Sequence, residues 1–359
     1  MSLNRARVAL VGTGRMGQIR AAILYSNPRF DLCGIIDKKL DSAKMLATKY
    51  RAKPFESIDE AITHFGRSNA IDGIVLSSPT FTHDAVIREA ANHGLAIFTE
   101  KPVDETANKI TSLFEFCQEK QAELCCGFQR RFDNSYVTTA LAVKEGRIGK
   151  PITANIFFAD HPSPPIDFML SGGNIFFDLC AHDVDYIRWL FDDEVVSVYA
   201  TGTSSDRVLD EAGVYDNATM IFKFRKGKNV SNDHLIQFIF PNICVTLFSG
   251  MVVTINLSRS ASYGYDQRCE VFGSSGLLTI GNEHANTSVL SNDYGIHQAK
   301  LKHSFPERYQ QAFASELDAF ADVILLGNKW PVRADDCIAV QKVADAARKS
   351  CEIDKVVYI

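Results

Sequence analysis

Val8-Ala-Leu-Val-Gly12-Thr-Gly14-Arg15-Met16-Gly17 is the stretch that decides the fold. Four apolar residues run directly into Gly-x-Gly-x-x-Gly, and helix-forming residues follow from Gln18 to Leu24. A buried parallel strand, a tight turn and a helix N-terminus have this order. Gly12 supplies the turn, Gly14 lets the backbone approach a pyrophosphate, and Gly17 lets the helix pack close on the strand. The helix start then offers open N–H groups and a partial positive charge to phosphate. The expectation is a dinucleotide site with Gly12, Gly14, Arg15, Met16 and Gly17 in its wall.

Asp37 lies twenty residues beyond Gly17, at the end of a second apolar run. A carboxylate there accepts hydrogen bonds from the adenosine ribose hydroxyls and repels a 2′-phosphate, which favours NAD over NADP. A turn or helix-cap aspartate is the plainer reading. Lys38 and Lys39 follow at once and can pair with a phosphate, so NADP remains the second choice.

Apolar runs and helical patterns alternate as far as Cys126. Strands are expected at 32–36, 71–76, 95–98 and 123–127, with helices at 41–50, from Ser57, at 82–93 and at 104–120. Ser57 and Glu60 have capping-box spacing. This alternation predicts a doubly wound parallel sheet with right-handed crossovers. Beyond Gly127 the pattern changes. Helices are expected at 132–145 and 174–191, around a strand at 152–159 and the proline-rich loop from Asp160 to Pro165. A series of strands follows between 195 and 280, including 235–240 and 243–248, and predicts a mostly antiparallel open sheet in an α+β domain. From Pro306 the chain is helical again. The expected domains are 1–127 (dinucleotide binding), 128–333 (substrate and oligomer contacts) and 334–359 (a helix and tail packing back on the first domain).

The 359 residues carry 46% hydrophobic and 23% charged residues and a net charge of −5. That is ordinary globular composition, with no basic footprint for nucleic acid or an anionic membrane. No apolar run reaches the ~20 residues that span a bilayer, and no signal-peptide core precedes Val8. Nine scattered cysteines read as reduced and mostly buried, in a cytoplasmic protein. The four Asn-x-Ser/Thr sequons (Asn217, Asn229, Asn256, Asn286) are then coincidences of composition.

Two places carry chemistry. Glu100-Lys101-Pro102 follows a strand and so falls at the carboxyl edge of the sheet, where such sheets bind ligands. Lys101 there is either a donor to a substrate oxygen gaining negative charge or an exposed lysine beside a turn. Between Gly172 and Asp185 lies Asp178-x-x-x-His182. On one helix these share a face. His182 is then a general base beside a carboxylate, a structural histidine, or half of a metal site that needs a further ligand such as His161.

Together these stretches resemble the Gfo/Idh/MocA oxidoreductase family. The resemblance rests on the glycine turn, Ser78-Pro79-Thr80-Phe-Thr-His83, Glu100-Lys101-Pro102, Gly127-Phe-Gln-Arg-Arg131-Phe-Asp133, Gly172-Gly-Asn…Asp178-x-x-x-His182-Asp183 and Arg308-Tyr309…Glu316-Leu-Asp318-Ala-Phe320. Pro162-Ser-Pro164-Pro165 and Tyr263-Gly-Tyr265-Asp-Gln-Arg268 are most similar to its inositol 2-dehydrogenase branch. The resemblance implies an N-terminal Rossmann domain and a C-terminal open sheet used in a homodimer or homotetramer. It also implies Lys101, Asp178 and His182 as catalytic residues, and Ser78, Pro79, Thr80, His83, Glu100 and Lys101 as further parts of the cofactor site. The implied reaction is NAD-dependent oxidation of a ring hydroxyl of a polyol or sugar, myo-inositol first. His182 takes the proton, Lys101 stabilises the alkoxide, Asp178 orients, and no metal takes part. Asp160, His161 and Tyr265 are expected to read other hydroxyls. Two departures fall near the expected pocket: Asp160-His161-Pro162 where the branch has Arg-Asp-Pro, and Asn174 in place of a third glycine. A related sugar or dihydrodiol dehydrogenase and a non-catalytic NAD(P)-sensing regulator are the alternatives.

Overall fold

The computed structural model describes residues 5–66, 70–171, 174–225 and 250–359. These fall into two compact units, Met1–Asp133 with Tyr309–Gln341, and Asn134–Arg308 with Lys342–Ile359.

Six strands form the sheet of the first unit: β1 (Ala6–Val11), β2 (Phe30–Ile36), β3 (Lys53–Phe55), β4 (Gly73–Leu76), β5 (Ala96–Glu100) and β6 (Leu124–Gly127). Their order is β3-β2-β1-β4-β5-β6 and every pairing is parallel. The strand order reverses between β1 and β4, and the carboxyl ends there open a ligand crevice. Both faces of the sheet are covered, which is why the strands read as continuous apolar runs. Val8, Ala9 and Leu10 on β1, Ile74, Val75 and Leu76 on β4, and Ile97 and Phe98 on β5 are all 0% exposed. The crossover helices are Arg15–Ser26, Leu40–Tyr50, Ile58–Phe65, His83–Asn92 and Ala107–Glu119. Ser57 caps Ile58–Phe65 by accepting from the Glu60 N–H, but the Glu60 carboxylate bonds the Glu56 N–H, one residue outside the expected box.

The domain boundaries differ from those expected at 127 and 333. Helix Gln310–Leu326 belongs to the first unit. Its Phe313, Leu317 and Phe320 are buried, and the Phe320 ring lies 5.8 Å from that of Phe98. Trp330 adds an edge contact to Phe98, and its indole N–H donates to the Cys126 carbonyl at 2.9 Å. A parallel sheet needs a second layer, and this late helix supplies part of it. The last helix, Ala334–Ile353, is shared between the units. Asp336 accepts from Arg131 and Gln341 donates to the Glu105 carbonyl in the first, whereas Ser350 accepts from the Ala200 N–H in the second.

The second unit is built on a mixed sheet of seven strands: β7 (Pro151–Ala159), β8 (Val195–Thr203), β9 (Asn217–Phe224), β10 (Val252–Ser258), β11 (Asp266–Gly273), β12 (Gly276–Ile280) and β15 (Val357–Tyr358). A separate hairpin joins β13 (Val289–Asn292) to β14 (Gly295–Gln298). The order of the large sheet is β12-β11-β7-β10-β9-β8-β15, with only β7–β10 parallel. Strand β9 shows the one-sided alternation: Ala218, Met220, Phe222 and Phe224 are buried, while Thr219, Ile221 and Lys223 face out. The strands expected at 235–240 and 243–248 lie outside the described residues, as do Gly172, Gly173, Asn229 and Cys244. No disulfide joins any two of the eight described cysteines. Burial pushes the Cys33 and Cys117 thiols up to about 11, so neither is a thiolate at neutral pH.

Candidate active site

The glycine turn is shaped as its spacing requires. Gly12 has φ +96°, and a Cβ there would meet the Ser78 nitrogen at 2.6 Å. A Cβ on Gly17 would meet the Gly12 carbonyl oxygen at 2.1 Å, so only glycine lets the helix come this close. Gly14 is different: a Cβ there would meet nothing within 4 Å. It is the N-cap of Arg15–Ser26 and, as glycine, brings no side chain to cap that helix. Arg15 is exposed and Met16 half-buried beside it. A phosphate placed at Gly14 would take the space a side chain would fill.

Asp37 stands at the end of β2, where its spacing put it. One carboxylate oxygen accepts from the Thr13 N–H at 3.0 Å and the Thr13 hydroxyl at 2.7 Å. The other accepts from the Lys39 N–H at 2.9 Å. Burial works against the charge, but these bonds and the Lys39 ammonium outweigh it and lower the pKa below the ordinary carboxylate value. A carboxylate has about four acceptor positions, so this anion keeps capacity for a ribose hydroxyl.

The loop after β4 holds Ser78, Pro79 and Thr80 in a short turn against Gly12. The Thr82 hydroxyl donates to the Pro79 carbonyl, and the Ser78 hydroxyl lies 2.6 Å from it. His83 is buried, with both ring nitrogens against carbonyl oxygens of the first unit. Lys101 is half-buried at the end of β5, with a cis bond to Pro102. Glu100 turns inward to Arg20: its Oε1 accepts from the Arg20 Nε at 2.6 Å. Arg20 also donates to Glu316 at 2.6 Å, and its guanidinium lies 4.6 Å and 4.8 Å from the Phe98 and Phe313 ring centres. Burial opposes the Arg20 charge, but the two carboxylates reverse that and raise its pKa. The sequence reading had Glu100 beside the cofactor and missed Arg20 and Glu316. The available signal was a charge on the apolar face of a helix, since Gly17, Arg20, Ala21 and Leu24 form the buried side of Arg15–Ser26.

Asp178 and His182 belong to the second unit. The expected helix 174–191 is two segments, Ile175–Asp178 and Cys180–Phe191. Leu179 between them keeps helical angles, and the His182 N–H bonds the Leu179 carbonyl at 3.3 Å, a tighter turn than an α-helix makes. Asn174 caps the first segment through its side chain, bonding the Phe176 N–H at 2.9 Å, which a glycine at this departure could not do. His182 is half-buried. The Asp178 carboxylate accepts from Arg259 Nη1 at 2.6 Å, with its side chain 31% exposed and that of Arg259 2%. Arg259, just beyond β10, is, like Arg20 and Glu316, a residue that sequence reasoning missed. Asp160 ends β7; its carboxylate accepts from the His161 N–H at 2.9 Å, and the His161 ring lies 4.8 Å from that of His303. Tyr265 is buried with its ring 5.5 Å from Phe158, whereas Tyr263 is exposed and donates its hydroxyl to Asp266.

The first unit therefore fits a dinucleotide: a helix that starts at a glycine N-cap, open space at Gly14 and an anionic Asp37 at the end of β2. Among the described residues no group of three His, Cys, Asp or Glu side chains is placed to hold a metal ion. The glycine turn and Asp37 define a dinucleotide-binding Rossmann protein. The chain belongs to the Gfo/Idh/MocA family. The family's NAD-binding Rossmann model matches residues 6–128, and its two C-terminal domain models match 136–233 and 242–359. Over 347 residues the chain is 32% identical to an inositol 2-dehydrogenase of Rhizobium meliloti (strain 1021), covering 96% of each. It is similar to the solved myo-inositol dehydrogenase of Corynebacterium glutamicum ATCC 13032, with 30% identity and TM-score 0.85 over 99% of each chain. It is also similar to scyllo-inositol dehydrogenase of Lactobacillus casei with bound NAD(H) and scyllo-inositol, with 25% identity and TM-score 0.86 over 99% of each.

Proposed function

We propose that this protein oxidises a ring hydroxyl of a cyclitol to the ketone with NAD, as an inositol 2-dehydrogenase, myo-inositol being the first substrate to test. The observation that carries this reading is full-length similarity to inositol 2-dehydrogenases in a chain that keeps a lysine at the carboxyl end of β5 and an Asp-x-x-x-His unit in the second unit. A secondary alcohol must lose a hydride from carbon and a proton from oxygen. The cofactor, when bound, accepts the hydride. His182 takes the proton, because imidazole exchanges protons near neutral pH. The Lys101 ammonium holds the oxygen as negative charge builds on it. Asp178, held by Arg259, orients the imidazole or an adjacent hydroxyl. Asp160, His161 and Tyr265 take further hydroxyls, because a polyol buried without partners loses about 1–3 kcal/mol for each unpaired group.

We further infer a cytoplasmic homodimer or homotetramer. Ile221, Phe272 and Leu277 on the outward side of the large sheet are 41% to 56% exposed, which supports burial of this face against a second copy. No helix among the described residues is long and apolar enough to cross a membrane. The deciding assay is NADH formation from myo-inositol, scyllo-inositol, glucose, xylose and trans-dihydrodiols, each with NAD and NADP. Turnover of a cyclitol with NAD supports the reading. Turnover confined to the other substrates replaces it with a sister dehydrogenase, and NAD binding without turnover makes the protein a regulator.

A further inference from the structure

His83 was expected at the cofactor, but its ring is spent inside the first unit. It is 1% exposed. Its Nε2 lies 3.0 Å from the Ser78 carbonyl oxygen, in the loop after β4. Its Nδ1 lies 3.1 Å and 3.2 Å from the carbonyl oxygens of Pro102 and Val103, the two residues after Lys101. The Thr99 hydroxyl approaches the same Nδ1 at 3.4 Å. The ring thus lies between the loop packed on the glycine turn and the loop that carries Lys101. Burial lowers the pKa of the ring, although all three carbonyls and the nearby Glu100 favour the extra proton. A neutral imidazole has one N–H to give. A proton on Nδ1 would meet the Pro102 and Val103 carbonyls together, and the ring is assigned this tautomer.

We propose that His83 is a positioning residue of the dehydrogenase: through its Nδ1–H it holds the Pro102 and Val103 carbonyls and so fixes where the Lys101 ammonium stands. This rests on the role of Lys101 given above. Glu100 is anchored to Arg20 on the other side of Lys101, so the lysine sits between two fixed points. Displacement of a catalytic group by about 1 Å costs on the order of a hundredfold in rate, so a side chain with no contact to substrate still controls turnover.

Two substitutions separate the two sides of the ring. His83→Asn keeps a donor near the position of Nδ1, and His83→Gln keeps one near Nε2. With the full-length enzyme, its NAD and its best cyclitol, His83→Gln should lower kcat about tenfold or more. His83→Asn should stay within about threefold, and the NAD dissociation constant should change less than about threefold in both. In the residual turnover of Lys101→Ala, His83→Gln should add no further loss, because a positioning residue has nothing left to position. Equal kcat losses in the two variants, or an additive loss on Lys101→Ala, would make His83 merely structural. Should either variant fail to fold, nitrogen-15 spectra of histidine-labelled wild type decide: a protonated Nδ1 is expected, and a proton on Nε2 alone overturns the proposal. If Lys101→Ala itself keeps full turnover, the reading of Lys101 fails, and that outcome is distinct from equal losses in the His83 pair.

Discussion

Replacing Glu316 by glutamine should change how the first unit's stability depends on pH. Glu316 is 0% exposed and shares the Arg20 guanidinium with Glu100. Burial pushes its pKa up, Arg20 pulls it down and Glu100 pushes it up again; the result rises from 4.5 to about 7. The folded protein therefore holds a proton that the unfolded chain releases at lower pH. Its contribution is fully present below about 4.5 and is lost as pH rises through 7. A rise of that size corresponds to about 3.5 kcal/mol over the whole range, of which about 2.5 kcal/mol falls between pH 5 and pH 8. Glutamine keeps the neutral shape and cannot ionise. Urea unfolding of both proteins at pH 5 and pH 8, followed by hydrogen exchange at β1 and β5, measures the difference. Titrating groups away from Arg20 and Glu100 act alike in both proteins and cancel. The stability of wild type relative to Glu316→Gln should fall by about 2.5 kcal/mol between the two pH values. Parallel pH profiles would refute the idea that two carboxylates compete for one buried arginine.

Asp37→Ser should relax the preference for NAD over NADP by about 10- to 100-fold, the worth of a hydrogen bond to a charged group; kcat/KM ratios for the two cofactors check this, and an unchanged ratio rejects the role of Asp37. His182→Ala should lower kcat by about 10²–10⁴-fold, the range for a lost general base, with NAD affinity within about threefold by titration calorimetry. Arg259→Met removes the 2.6 Å donor to Asp178 and should lower kcat about tenfold or more, with Arg259→Lys restoring most of it; an unchanged kcat in Arg259→Met rejects the role of that contact. Phe272→Glu on the outward sheet face should lower the mass seen by light scattering, and an unchanged mass moves the oligomer contact elsewhere.

Much of the first unit was legible because its signals are local. Apolar runs on a sheet buried on both faces announce themselves, and Gly12 and Gly17 of the turn each meet a steric demand, at Ser78 and at the Gly12 carbonyl. Asp37 could be placed by counting. What failed was the assignment of helix Gln310–Leu326, whose apolar stripe says that it packs but not on what. The partners of the buried charges were equally hidden. Arg20 meets Glu316 across 296 positions and Asp178 meets Arg259 across 81, and no periodicity encodes such pairs. The Asp178–His182 spacing was visible, but the tight turn at Leu179 was not, because Leu is an ordinary helix former. The three-residue β3 and two-residue β15 are too short to show alternation. In the second sheet the inward–outward pattern of each strand was readable, whereas the place of β15 at its edge depends on the return of the C-terminus.

The central claim is that a hydride leaves a cyclitol carbon for NAD. Its most direct test is turnover of myo-inositol deuterated at the carbinol carbon that is oxidised. One deuterium per ketone formed should appear in the reduced nicotinamide, with slower turnover than for the protiated compound. Absence of deuterium from the NADH, or no turnover of any cyclitol by a protein that still binds NAD, would contradict the account.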